Sequence, residues 1–395
     1  MLTRIRALPR NIWAVSLTSF LMDISSEMVL NLIPLFLANV LGAGGTVIGA
    51  VEGVAESVAA LLRVFSGYLS DRFRRRKWLA VLGYGISALS KPFFYLAGTW
   101  WHVALARWAD RVGKGIRTAP RDALVADSID AGNRGLAFGL HRAADTAGAF
   151  LGILGALFAV RFTQGFAPTL QAVTFRTIVL VSVIPGSLAV LSLAVLAREP
   201  SVLRTSQRAR PRISGLGRPF LFFLFLVGLF ELGNSADAFL VLRAQTLGAN
   251  VLSILGMLAV FNLVYSLIST PAGALSDRVP RKALILGGWL FYALVYLAIG
   301  LARESWHMWV IYGAYGVYYG VAYGTARALI ADIVPAELRG TAYGAYATVV
   351  GAMAFPASLI AGILWDSFGP AAPFYFGSAL AFLASFGLFL WHPEF

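Results

Sequence analysis

The chain has 395 residues, of which 58% are hydrophobic and only 13% charged, and its mean hydropathy is +0.75. A soluble domain carries about 25% charged residues, so this composition belongs in a bilayer and excludes an ordinary soluble enzyme or binding module. The net charge of +13 would otherwise point to nucleic acid, but the placement of the cations, set out below, accounts for it without any.

A spanning helix needs about 20 apolar residues, and the chain holds twelve such stretches. The first is expected over 12–40. It follows Arg4, Arg6 and Arg10 and has acids within it, and it is too long for the apolar core of a cleaved signal, so it reads as a retained helix. Asp23, Glu27 and Asn31 recur there at i, i+4 and i+8 and share one face. The next stretches are 46–70, with Glu52 and Glu56 on one face, 78–97, and 101–128, where Arg107, Arg111 and Lys114 share a face beside Asp110. The stretch 134–160 carries His141, Arg142 and Asp145, and 175–197 is almost wholly apolar. The segment 198–218 holds six arginines against one acid, Glu199, and reads as a linker. Beyond it, 219–246 carries Glu231, Asn234, Asp237 and Arg243, and is followed by 251–276, 283–301 and 307–331. The last of these interleaves Tyr312, Tyr315, Tyr318, Tyr319 and Tyr323 with Gly313, Gly316, Gly320 and Gly324. The stretches 340–364 and 372–392 complete the series. The expected fold class is therefore all-α and polytopic, divided into 1–197, a basic linker 198–218 and 219–395.

Placing the amino terminus inside the cell puts nineteen of the 32 Lys and Arg in cytoplasmic segments and three outside. That bias expects a multi-pass protein of the cytoplasmic membrane with both termini cytoplasmic. There is no Cys, which excludes disulfides and Cys-ligated zinc, and the four scattered His offer no metal spacing. No metal and no cofactor is expected, and no Walker A, His-Glu-x-x-His or Gly-x-Ser-x-Gly sequence is present, so ATP drive and the enzyme classes those motifs serve are not expected.

The chain also repeats itself. Gly67-Tyr-Leu-Ser-Asp71-Arg72-Phe-Arg-Arg75-Arg76 returns as Gly273-Ala-Leu-Ser-Asp277-Arg278-Val-Pro-Arg281-Lys282, 206 positions later. Leu41-Gly-Ala returns as Leu247-Gly-Ala at the same offset, and Ala126-Asp127 with Arg134-Gly135 returns as Ala331-Asp332 with Arg339-Gly340 at 205. Three matched places in one register imply two parallel repeats of six spans. The doubled Gly-x-Leu-x-Asp-Arg-x-x-Arg-Arg/Lys loop resembles the signature loop of major facilitator superfamily transporters, and the resemblance covers the whole chain. It departs at Arg74 and Pro280, where the family has Gly. It implies twelve helices in two pseudo-twofold-related bundles, with spans 1, 4, 7 and 10 lining a central cavity. It also implies a conformational latch of Gly67, Asp71, Arg72, Arg75, Gly273, Asp277, Arg278 and Arg281, the glycines permitting close approach and the acids capping a neighbouring helix or pairing with arginine.

An ionisable group at mid-bilayer costs about 2.5–3.5 kcal/mol and so needs a partner or a wet cavity. Leaving out Asp127, Arg134 and Arg176 at span ends, ten cations and nine acids lie within the expected spans, so most are expected to neutralise one another. The substrate- or proton-binding set is expected to be Asp23, Glu27, Asn31, Glu56, Arg107, Asp110, Arg111, Lys114, Asp145, Glu231, Asn234 and Asp237. Span 4 reads Arg107-Trp-Ala-Asp-Arg111 and resembles the family's Arg-x-x-Gln-Gly segment, tied there to proton coupling, while Gly148 and Gly152 lack the Gly-Pro pair of its antiporters. The paired acids of span 1 resemble the drug/proton antiporter branch. The expected activity is secondary transport of a small organic solute by alternating access, proton-coupled and outward, by a protein acting as a monomer in a lipid bilayer with protons and a small-molecule substrate as its partners. Uptake or exchange of an anionic metabolite on the cations of span 4 is the alternative, and a membrane enzyme or sensor on the same scaffold is a third. For the tyrosines of 307–331, plain packing against the interleaved glycines remains the competing account.

Overall fold

The computed structural model describes residues 8–73, 75–130, 133–199, 216–276, 279–335 and 338–391, without the side chains of 71, 270, 272–276, 322–325, 327 and 328. The expected linker falls largely outside the described residues, as do Asp277 and Arg278.

The described elements are helices: α1 Arg10–Leu30, α2 Ile33–Asn39, α3 Gly45–Phe73, α4 Arg76–Leu96, α5 Trp100–Asp127, α6 Arg134–Thr163 and α7 Ala172–Leu196. They continue as α8 Gly217–Gly233, α9 Ala238–Thr246, α10 Val251–Ser276, α11 Arg281–Leu301, α12 Ser305–Ile333, α13 Arg339–Phe368 and α14 Ala372–Leu390. Among the described residues, nine helices or helix pairs are long and apolar enough to cross a membrane, with α1–α2 and α8–α9 each counting as one. α3, α5 and α12, at 28 or 29 residues, are long enough at 1.5 Å per residue but fall outside that set. Phe65, Leu89, Phe162, Ile184, Phe225 and Val310 are all more than 60% exposed, which water would penalise and acyl chains accept.

Two of the expected spans are interrupted. Pro34 near the start of α2 has no N–H to give to the preceding turn, and the first helix stops at Leu30. The second break, between Gly233 and Ala238, contains no Pro. Gly, Asn and Ser hold a helix weakly, because the side chains compete for the backbone. Freed backbone groups find partners within the protein: the Ala236 N–H donates to Ser358 Oγ at 3.2 Å and Tyr292 Oη donates to the Gly233 carbonyl at 3.5 Å, while the Asn234 side chain joins Glu231 Oε2 and Tyr292 Oη, each at 3.0 Å.

The chain divides into two compact units, Met1–Gly42 with Val58–Ser206, and Ala43–Ser57 with Gln207–Phe395. In the first, α1 packs on α6 and α7, and α4 on α5 and α7. In the second, α8 packs on α13 and α14, and α11 on α12 and α14. The same pairing scheme thus occurs in both copies of the repeat.

Glycine sets the closeness of several crossings. A Cβ on Gly113 of α5 would stand 2.5 Å from the Gly83 carbonyl oxygen of α4, and one on Gly152 of α6 would stand 2.7 Å from the Ile24 oxygen of α1. That is the role of the Gly148–Gly152 pair noted in the sequence. Gly316 and Gly320 of α12 face α10 at Phe261, Val264 and Ile268, while the tyrosines of α12 form ring contacts with α8, α10 and α11. Packing by glycine and clustering by tyrosine thus occur side by side on that helix, both of them reaching Phe261 of α10.

The amino-terminal part of α3, assigned to the second unit, carries Gly45, Gly49 and Gly53 one turn apart against α13. Asp366 of α13 accepts hydrogen bonds from the Gly45 N–H at 2.7 Å and the Thr46 N–H at 2.8 Å, capping α3. Lower down, Ser57 Oγ accepts from the Phe355 N–H at 3.1 Å and donates to the Gly351 carbonyl at 2.7 Å. Those two groups would pair in an uninterrupted helix, and Pro356 follows directly. Ser57→Ala leaves both unserved and is expected to cost about 1 kcal/mol, read as a lower melting temperature in detergent; Ser57→Thr keeps the hydroxyl and should recover most of it.

Candidate functional site

The first unit gathers charge. Asp110, buried on α5, stands 3.9 Å from Arg107 Nη1 and 4.0 Å from Arg111 Nε, both of them buried. Lys91 of α4 is 1% exposed, with its Nζ 3.2 Å from Ser26 Oγ and 3.7 Å from Met22 Sδ on α1, and Asp110 is prominent among the charges acting on it. Arg117 donates to Ser87 Oγ at 2.7 Å and lies over the Tyr84 ring at 4.5 Å, and Tyr84 Oη is 2.9 Å from Ser19 Oγ. Asp23 feels Asp145 and Glu27 as like charges and Arg117 and Lys114 as opposite ones. Asn31 Nδ2 donates to Glu27 Oε2 at 2.8 Å, and His141 Nε2 is 3.6 Å from Asp145. The structure therefore brings α1, α4, α5 and α6 together around these groups. The face proposed from Arg107, Arg111 and Lys114 is divided, with the two arginines buried beside Asp110 and Lys114 exposed.

Sequence reasoning counted Lys91 and Arg117 only as intramembrane cations. The available signal was Lys91 itself, a lone cation beside Pro92 in an otherwise apolar stretch of α4.

The second unit gathers rings and acids. Tyr315 Oη donates to Asp237 Oδ1 at 2.9 Å, at the start of α9. Phe230 of α8 stacks on Trp289 at 4.8 Å and lies 4.8 Å from Tyr292, which stacks on Tyr296 at 4.1 Å and reaches Tyr318 at 4.9 Å. Tyr319 lies 5.0 Å from Tyr315 and 5.4 Å from Phe261. Glu52 and Glu56 of α3 act on Asp237 as like charges. Trp289, Tyr292 and Tyr296, spaced on one face of α11, were overlooked in the sequence because that stretch holds no charge except at its start.

At the signature loops the residues do not pair quite as expected. Gly67 faces Ala119 of α5 and Arg72 Nη1 lies 3.3 Å from Tyr68 Oη, while Arg75 is exposed at the cap of α4. Its neighbour Arg76, in the first turn, meets Asp127 at 2.7 Å. Arg281 meets Asp332 at 2.5 Å in the second copy, so the ion pair recurs 205 positions on. The amino terminus of α4 is capped by Glu199, which accepts from the Lys77 N–H at 3.2 Å. The Asp71 side chain, the surroundings of Gly273, and Asp277 and Arg278 lie outside the described residues. Among the described residues no group of three His, Cys, Asp or Glu could hold a metal ion.

The Major Facilitator Superfamily profile matches residues 15–349 and 222–395. An uncharacterised MFS-type transporter of Methanocaldococcus jannaschii is 34% identical over 385 residues, 96% of this chain and 94% of that one. The multidrug resistance protein MdtG of Enterobacter lignolyticus is 35% identical over 152 residues, 37% of this chain and 36% of that one. A crystal structure of a variant of the nucleoside transporter NupG superposes with a TM-score of 0.79 at 11% identity, covering 96% of this chain and 99% of that one, which is a likeness of fold. A repeated packing scheme, a repeated ion pair and a profile spanning nearly the whole sequence converge on one result: this multi-pass membrane protein belongs to the Major Facilitator Superfamily of transporters.

Proposed function

We propose that this secondary transporter moves a small organic solute outward across the cytoplasmic membrane in exchange for protons, with both termini cytoplasmic and each half of the repeat, 1–197 and 219–395, serving as one moving body. The observation that carries the reading is the placement of Asp23 and Glu27 on α1, beside Asp145, Lys114 and Arg117 at mid-span. Carboxylates held at that depth gain and lose a proton as their surroundings change, which is what coupling requires. The alternative, anion uptake on α5, is weakened because Asp110 already stands against Arg107 and Arg111. The partial match to MdtG favours export of organic compounds.

The test is flux in proteoliposomes with an imposed pH gradient, using a panel of fluorescent dyes of both charge signs. Uphill movement should follow the gradient. Asp23→Asn with Glu27→Gln should lose it while leaving downhill exchange, and flux indifferent to the gradient would remove the proton part of the proposal.

A further inference from the structure

Asp237 and Glu231 differ from Asp110, Asp122, Asp127 and Asp145 of the first unit in having no ion-pair partner among the described residues. The described cationic side chains of the second unit are engaged elsewhere or lie at helix ends. Arg243 donates to the carbonyls of Ile299, Gly300 and Ala302, Arg281 meets Asp332, and Lys282 reaches the Phe389 and Trp391 carbonyls. Asp237 is nonetheless exposed to open volume at the α8–α9 break, not packed away. Around it stand Tyr315, Tyr312 and Tyr319 of α12, Tyr296 of α11, and Glu52 and Glu56 of α3.

A second observation points to a missing ligand. Tyr312 is 2% exposed, its hydroxyl has no hydrogen-bond partner among the described residues, and it lies within the field of Asp237. A buried hydroxyl without a partner costs about 1–3 kcal/mol, so this one, beside a carboxylate with no cation against it among the described residues, describes a place shaped for something polar to enter. Aromatic faces attract cations through their ring quadrupoles and offer apolar area to a hydrophobic body.

We infer that the α8–α9 break, with Asp237 and Glu231 as charge partners and the tyrosines of α11 and α12 as walls, binds an organic cation with a hydrophobic or aromatic body. This names the solute class of the transport reading above and rests on it. A proton and the cation neutralise the same carboxylates, so they compete.

Binding to the purified full chain in detergent tests this without any gradient. The probes are tetraphenylphosphonium and its anionic isostere tetraphenylborate, which match in size and rings and differ in the sign of charge. Tetraphenylphosphonium should bind and tetraphenylborate should not. Its affinity should fall on acidification, and Asp237→Asn should weaken it on the order of tenfold and flatten that pH dependence, since it removes one of the two charge partners. Asp237→Glu keeps the charge and should recover most of the affinity, which separates a binding role from damage to the fold. Equal binding of tetraphenylborate, or phosphonium binding unchanged in both Asp237→Asn and Glu231→Gln, would overturn the inference. Phosphonium binding with no gradient-driven flux in proteoliposomes would instead keep the site and remove the transport reading.

Discussion

Asp110→Ala is expected to lower the stability of the first unit by about 3–5 kcal/mol, the cost of removing one partner from a buried ion cluster. Arg107 and Arg111 are 4% and 6% exposed and both lie within 4.0 Å of this carboxylate, so its loss takes an acid away from two buried guanidinium groups. Lys91 and Arg117 also feel Asp110 and would lose its attraction. Melting temperature in detergent and yield of folded protein should both fall sharply. Asp110→Asn keeps the shape and some hydrogen bonding, and should fall by less. A melting curve unchanged in the Ala variant would mean that the arginines are neutralised by something other than Asp110.

The repeated ion pair predicts unequal losses. Arg76→Ala is expected to cost about 3 kcal/mol, because the side chains of Arg76 and Asp127 are 8% and 6% exposed and Asp127 would be left buried without this guanidinium. Arg281→Ala removes the equivalent group in the second copy, but there the side chains are 33% and 43% exposed, and an exposed pair contributes about 0.2–1 kcal/mol. Paired melting curves of the two variants, at low and high salt, decide the matter. Only the second pair should weaken appreciably with added salt, since water already screens it. Equal losses would mean that burial is not what distinguishes the copies.

The parts of the fold set by composition and register could be read in advance. The apolar stretches coincide with the helices, and the offsets of 205 and 206 anticipated the shared packing scheme of the two units. The parts set by packing could not. The break at 234–237 has no Pro to announce it; it depends on distant segments, Ser358 accepting from the Ala236 N–H and Tyr292 donating to the Gly233 carbonyl. The offset of 206 aligned Arg75 with Arg281, yet Arg76 makes the pair, at the offset of 205 that also relates Asp127 to Asp332. Face-sharing on α5 identified Arg107 and Arg111 as neighbours beside Asp110, but nothing in a one-dimensional pattern shows that Lys91 arrives from α4. The ring cluster was half visible: the tyrosines of α12 stand out among glycines, whereas those of α11 are spread through an ordinary apolar helix.

Ser57 has a bearing on biosynthesis. Its hydroxyl completes the turn of α13 between Gly351 and Phe355, almost 300 positions downstream. α3 is translated long before α13, so an early segment waits in the bilayer with the group that finishes a late one. Until they meet, the turn of α13 between Gly351 and Phe355 lacks its bridging hydroxyl, and its N–H and carbonyl must close on each other or find another polar group. Assembly of this helix is therefore a step of tertiary docking, and a ribosome-bound chain stopped short of that meeting should hold α13 in an unfinished, protease-sensitive form.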